Sequence, residues 1–169
     1  DKLFEIQSSE PMTEGPLSRV TVLDLTDERG IYGAKLLADL GANVIRPEPF
    51  TGDPLRTRGP FIQSTDQEKQ SIWHAYFCSS RRSITLDLGS AEGSEQFELL
   101  LTKADIVLTC PGAFGVERSR EILSNKNQEE LIFIDTCSFR PDCEWADYIA
   151  PDIVAGALGG QIATTGDAD

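Results

Sequence analysis

The chain has 169 residues and a net charge of −13, with 40% apolar and 25% charged residues. That length and balance suit one globular domain with its own core and exclude collagen-like repeats and wholesale disorder. The acidity excludes general nucleic-acid binding, no apolar run approaches the ~18 residues of a membrane span, and no signal peptide is visible, so the expected setting is the cytoplasm.

Residues 1–16 are polar, with Ser8, Ser9, Pro11, Gly15 and Pro16 and no apolar period, and a flexible leader is expected there. Order begins at Leu17. Val20 to Leu25 is a short β-branched, apolar strand. Thr26 and Asp27 then offer N-cap oxygens for a helix from Ile31 to Leu40, whose inner face is expected to be Ile31, Leu36, Leu37 and Leu40. Gly41 suits its C′ position, and Asn43 to Arg46 returns as a second strand. This β-α-β unit predicts a right-handed crossover between parallel strands.

Residues 47–71 contain Pro47, Pro49, Gly52, Pro54, Gly59 and Pro60 and are expected to form one long loop. Trp73 to Phe77 is aromatic and expected to be buried in part. The alternation then resumes. A strand is predicted over Ser83–Leu88, and a helix capped by Ser90 over Ala91–Lys103 with Phe97, Leu100 and Leu101 inward. A strand over Asp105–Cys110, a turn at Pro111-Gly112 and a short helix over Val116–Leu123 follow. The last predicted elements are a strand over Leu131–Thr136 and a Gly-rich, tightly packed helix over Ile153–Ala163. Five strands alternating with helices, several of them continuously apolar, predict an α/β fold: a mostly parallel, Rossmann-like sheet with helices on both faces.

The turn from Asp24 to Gly30 joins the carboxyl end of a strand to the amino end of a helix, where α/β folds bind nucleotides and anions; it also reads as a plain helix start. Neither GxGxxG nor GxxxxGK[ST] occurs, which removes support for dinucleotides and for ATP. The arginine pairs Arg56/Arg58, Arg81/Arg82 and Arg118/Arg120 suit phosphate oxygens or a solvated surface. His74, the one histidine, reads more readily as a packed side chain than as a catalyst, and no GxSxG elbow is present. Cys78, Cys110, Cys137 and Cys143 form no CxxC pair, so buried free thiols are expected and no metal site. On spacing alone, Asp167 and Asp169 after Thr164-Thr165-Gly166 are a polar terminus.

Several blocks together carry a resemblance. Leu17 to Thr26, Leu36 to Pro49, Gly52 to Arg56, Arg81 to Leu88 and Ala104 to Val107 follow the order and approximate spacing of the family III CoA-transferases, the CaiB/BaiF family. The likeness runs from about residue 17 to residue 169. It implies the large-domain fold of that family and transfer of coenzyme A between carboxylic acids through an aspartyl-CoA thioester. Acyl-CoA and an acceptor acid would be the substrates, with no tightly bound cofactor. The family's nucleophile follows a small-residue helix in a Thr-Gly-x-x-Asp context, which here assigns it to Asp169. By position, the resemblance also implies CoA contacts at Glu28, Arg29 and Leu86; Arg82 and Arg118 are phosphate candidates on charge and neighbourhood.

The chain departs from the family pattern in three ways. Leu108-Thr109-Cys110-Pro111-Gly112 lacks the Asn-Phe pair with which the family touches CoA, leaving Cys110 backbone groups for part of that role. Pro151-Asp152 stands where the racemase branch has His-Asp, which favours the transferase branch. Family members are more than twice as long, with a second domain and interlocked subunits. Residues 17–169 are therefore expected to be a large-domain fragment without its second domain, inactive alone and homodimeric in the complete protein. The other two readings are a non-catalytic module binding CoA or a partner, and an acyl-CoA racemase or isomerase.

Overall fold

Short strands of Val, Ile and Leu set at a helix-sized spacing have one economical solution, a parallel sheet with crossover helices, and the computed structural model has this form. It describes residues 15–63, 69–124, 130–140, 142–146, 148 and 150–166. The elements of the first part are β1 (Thr21–Leu25), α1 (Ile31–Asp39), β2 (Asn43–Glu48), a 3₁₀ turn (Pro54–Thr57), β3 (Phe61–Gln63), β4 (Lys69–Ser71), α2 (Ile72–Phe77), β5 (Arg82–Thr85), α3 (Ala91–Lys103), β6 (Ile106–Thr109), α4 (Val116–Ser124) and β7 (Ile132–Asp135). After them come α5 (Asp152–Leu158) and a 3₁₀ turn (Ile162–Thr164). Contacts divide the chain into two compact units, residues 1–136 and 137–169.

In the first unit five strands lie in the order β5-β2-β1-β6-β7, every pair parallel. Leu23 stands opposite Ile45 on one side and Val107 on the other, and Leu25 opposite Thr109. Numbered along the chain, the sheet strands run 3-2-1-4-5, the doubly wound order whose direction reverses at its first strand. The α/β, parallel reading of the sequence holds.

Residues two apart on a strand share a face, and the two faces are sealed differently. Leu23, Leu25 and Val107 pack with Phe97, Leu100 and Leu101 of α3 and Val116 and Ile122 of α4. The intervening Val22, Val44 and Leu108 pack with Ala34 and Ala38 of α1 and with Ala42. Each fully buried Leu or Phe contributes about 1.5–3 kcal/mol, so the α3–α4 side holds the larger share of the apolar stabilisation.

Helix α3 follows the sequence reading residue for residue, with Ser90 Oγ accepting from the Gly93 N–H at 3.0 Å. Gly41 closes α1 with φ +95°, a left-handed conformation that costs glycine nothing. The entry to α1 differs from expectation. Its N-cap is Gly30, without a side-chain cap, because the Thr26 hydroxyl donates to Asp24 and the Asp27 carboxylate is taken by Arg29. The inner face is also different: Ile31, Ala34, Lys35 and Ala38 are buried, whereas Leu36 and Leu40 are about half exposed. Small alanines let the helix lie close on the sheet, which turns the leucines outward.

The expected loop over 47–71 contains structure: the 3₁₀ turn and an antiparallel β3–β4 pair with Phe61 opposite Ser71. The aromatic stretch after it is α2, capped by Ser71 Oγ on the His74 N–H at 3.0 Å. None of its residues is fully buried; Phe77 meets Tyr32 and Tyr76 edge to face and Trp73 at a tilt. At the sheet edge, Ile132, Phe133 and Ile134 of β7 are exposed. The four cysteines are free, but only Cys110 is buried and Cys143 is exposed, against the expectation of buried thiols throughout.

In the second unit, Phe139 and Trp145 meet edge to face at 5.8 Å. The predicted packed helix over 153–163 ends at Leu158, because Gly159 and Gly160 follow, the latter at φ +79°. No residue of α5 is buried, and Ile153 and Leu158 are exposed. Among the described residues, no helix is long and apolar enough to cross a membrane.

Candidate functional site

The strand order reverses between β1 and β6, so the connections leaving their carboxyl ends diverge and leave a crevice, the usual ligand position in such sheets. A cleft of about 380 Å³ opens there, lined by Asp24, Thr26 and Asp27 after β1, Arg46 and Pro47 of β2, Asp53 to Leu55, and Gly112 to Phe114 after β6. Arg29 ties the two strand ends together. Its Nε and Nη2 donate to Asp27 at 3.0 and 2.6 Å, and Nη2 also donates to the Pro111 carbonyl at 2.7 Å. Burial alone pushes the Asp27 carboxyl up, but the side-chain and backbone hydrogen bonds from Arg29 outweigh it and hold the group below its ordinary value.

Asp24, Arg46 and Asp53, which line the crevice, belong to a buried network of charge. Asp24 accepts from the Thr26 hydroxyl at 2.6 Å, from Arg46 Nη1 at 3.1 Å and from Arg81 Nη1. Arg46 Nε donates to Asp53 Oδ2 at 2.5 Å, and the other Asp53 oxygen caps the 3₁₀ turn by accepting from the Leu55 N–H at 2.9 Å. Burial works against the Arg46 charge, yet the Asp24 and Asp53 carboxylates overcome it and keep the guanidinium firmly protonated. Glu48 accepts from Arg56 Nη2 at 2.8 Å, from Ser83 Oγ at 2.5 Å and from the Asp53 N–H at 3.0 Å. Burial raises the Glu48 pKa, but these donors prevail and hold it at about 2.

Helix α2 closes one side of this network. His74 Nε2 is buried, has no hydrogen-bond partner and lies 3.9 Å from Asp53 Oδ2. Burial first, and then the Arg56 charge, lower its pKa. Cys78 follows one helical turn later, its thiol pushed up to about 11 by burial. One ligand atom from each of Asp53, His74 and Cys78 lies within 4.8 Å of the others. The sequence reading expected no metal-ligating cluster, yet the i, i+4 spacing of His74 and Cys78 was a signal available for it.

The residues singled out from the sequence fall in several places. Glu28 and Arg29 stand together on the crevice turn, and Glu28 pairs with Arg58. Leu86 is buried just past β5 in the α3–α4 core, its N–H donating to the Glu48 carbonyl at 2.9 Å. Arg82 opens β5 opposite Ile45, away from the carboxyl edge. Arg118, in the first turn of α4, donates to Ser94 Oγ of α3 at 2.7 Å and pairs with Glu121. Asp169 and its neighbour Asp167 lie outside the described residues. Of the arginine pairs read as suiting phosphate oxygens or a solvated surface, Arg56, Arg58, Arg81, Arg118 and Arg120 each meet a protein carboxylate. Asp24, Arg46 and Asp53 were not singled out. The partners of Asp24 are far from it in sequence, and the signal was the strand alternation that puts Asp24 and Arg46 on the same face as Val22 and Val44.

Comparison with known proteins gives the site a context. The model of CoA-transferase family III matches residues 17–169. The succinyl-CoA:(R)-benzylsuccinate CoA-transferase subunit BbsE of Thauera aromatica is 36% identical over 146 residues, 85% of this chain and 35% of the relative. The succinyl-CoA:mesaconate CoA-transferase of Haloarcula hispanica is 33% identical over 163 residues, 92% of this chain and 41% of the relative. Among solved structures, a CaiB/BaiF family protein from Brucella suis superposes with a TM-score of 0.71 at 30% identity, covering 93% of this chain and 42% of that one. The chain thus spans about 35–41% of the length of these two curated relatives.

Proposed function

This chain belongs to CoA-transferase family III, and we propose that it is the amino-terminal, nucleophile-bearing part of an enzyme that moves coenzyme A between carboxylic acids. One observation carries the reading: the family match runs from residue 17 to residue 169, through a fold whose crevice lies at the doubly wound switch point. The named activities of the two curated relatives, both succinyl-CoA-dependent transferases, support the substrate class of an acyl-CoA donor and a carboxylic acid acceptor.

The proposed chemistry is covalent catalysis by the carboxylate of Asp169. It attacks the acyl-CoA thioester carbonyl, the C–S bond breaks, and a mixed anhydride and the CoA thiolate result. The thiolate attacks the aspartyl carbonyl of the anhydride, releasing the donor acid and leaving an aspartyl-CoA thioester. The acceptor carboxylate attacks that thioester, and the expelled thiolate then takes the acceptor acyl group and regenerates Asp169. Every step conserves charge and needs no proton transfer, so the protein's task is to hold the thiolate near and stabilise each tetrahedral oxyanion.

CoA contact is proposed for Glu28, Arg29, Leu86, Arg82 and Arg118. The location of Glu28 and Arg29 on the crevice turn supports their part, and the Arg29 bridge to Pro111 supports a preformed wall. Residues 17–169 would form the large-domain portion after a leader at 1–16, with a second domain and a homodimeric partner completing the enzyme.

The test is Asp169→Ala in the complete protein. Transfer should fall at least about a thousandfold, as for loss of a covalent nucleophile. The wild type, incubated with acyl-CoA alone, should gain the mass of a CoA thioester on the peptide holding Asp169. A transfer rate unchanged by the substitution would overturn the assignment.

A further inference from the structure

We propose that Asp53, His74 and Cys78 form a binding site for one divalent transition-metal ion of the zinc class, at the wall of the crevice. The inference is independent of the transferase reading. Three different side chains present one ligand atom each, an oxygen, a nitrogen and a sulfur, within 4.8 Å of one another. Donors on a tetrahedral zinc-like centre lie ~3.3–3.8 Å apart, from metal–ligand lengths of ~2.0–2.3 Å. The His74 Nε2 to Asp53 Oδ2 separation of 3.9 Å is close to that spacing already. It is too long for a hydrogen bond and too short to hold a water between the two atoms.

The second observation is the state of the imidazole. His74 Nε2 is inaccessible to solvent and has no hydrogen-bond partner. Buried polar atoms in native proteins are satisfied with few exceptions, and an orphan calls for an explanation. A bound cation supplies one. The backbone holds the donors in register: the Cys78 N–H donates to the His74 carbonyl at 2.8 Å, so both side chains leave the same face of α2. Asp53 is fixed from its other oxygen by the Leu55 N–H, while Arg46 Nε donates to the oxygen that faces His74, the outer-shell bonding that orients a carboxylate ligand.

Charge selects the class of ion. Asp24, Glu48 and Asp53 balance Arg46, Arg56 and Arg81 in the surrounding network. An oxygen-seeking ion such as magnesium finds a single carboxylate here, already shared with a guanidinium. A borderline-soft ion gains an imidazole and a thiolate as well. Binding releases the Cys78 thiol proton to solvent and leaves a fourth position open, since three protein ligands do not close a tetrahedral site.

Cobalt(II) is the probe. Titrated into the complete protein after chelator treatment, it should give a thiolate-to-cobalt charge-transfer band that saturates at one equivalent and disappears when zinc is added. Cys78→Ser should abolish the band, His74→Gln should weaken cobalt binding at least tenfold, and Cys143→Ser should leave the titration unchanged. No band in tenfold excess cobalt, or a band that survives Cys78→Ser, overturns the proposal. Should Cys78→Ser fail to fold, alkylation of the wild type decides. Zinc should slow labelling of Cys78 at least tenfold and leave Cys143 unaffected, and equal rates with and without zinc would reject the site.

Discussion

The two faces of the sheet are built from the same strands and the same alternation, yet they solve different problems. On the α3–α4 side, Leu23, Leu25 and Val107 meet Phe97, Leu100 and Leu101 in an apolar cluster. On the α1 side, the alternation that buries Val22 and Val44 continues at the strand ends with Asp24 and Arg46. Two residues further along each strand, an apolar contact becomes an ion pair nine-tenths buried or more. The apolar side is held by area removed from water. The charged corner is held by completeness, because buried charges stabilise only when every partner is in place. The crevice is lined by members of the second kind of structure, Asp24, Arg46 and Asp53.

Removing one member of the charged corner should therefore cost the most. Arg46→Met removes the guanidinium shared by Asp24 and Asp53; Asp24 keeps Arg81, but the buried Asp53 is left without its arginine partner, and an uncompensated buried charge costs about 3–5 kcal/mol. The urea midpoint of the variant should drop accordingly. On the opposite face, Leu101→Ala opens a cavity at a fully buried position of α3 and should cost about 3 kcal/mol. That loss should be the same at every pH where the protein folds. If Arg46→Met lost no more stability than Leu101→Ala, the distinction between the two faces would fail.

These differences explain what the sequence could and could not disclose. Helix α3 was legible to the residue, because its cap, its inward Phe97, Leu100 and Leu101 and its length are all local. The strand order was legible as a class, since alternating strands and helices admit few topologies. The facing of α1 was not: Leu36 and Leu40 scored as core, and only contact with the sheet selects Ala34 and Ala38 instead. The β3–β4 pair was hidden by strands of three residues among prolines, too short for a period to emerge. The charged corner was hidden by separation, with Arg46 and Arg81 standing 22 and 57 residues from Asp24. No local window contains both sides of such a pair. Asp169 came only from resemblance, because on spacing alone it is one carboxylate among 28.

The mildest probe of the comparison uses Glu48, on the rim of the charged corner. Its folded-state pKa of about 2 lies below the ordinary 4.5, so the folded protein binds its proton less readily than the unfolded chain. The stabilisation from this group is complete above pH ~4.5 and is lost as the pH falls from there towards ~2. Arg56, its main donor, is about half exposed, which screens the pair and brings the contribution down to about 1–2 kcal/mol. Glu48→Gln keeps the shape and removes the titration. Subtracting the acid limb of its stability curve from that of the wild type cancels the other carboxylates and leaves this one. The difference should grow from zero at pH ~2 to a plateau above pH ~4.5. A flat difference would mean that Arg56 and Ser83 hold Glu48 by hydrogen bonds the amide can replace, and the contrast between the faces would then rest on Arg46 and its two aspartates alone.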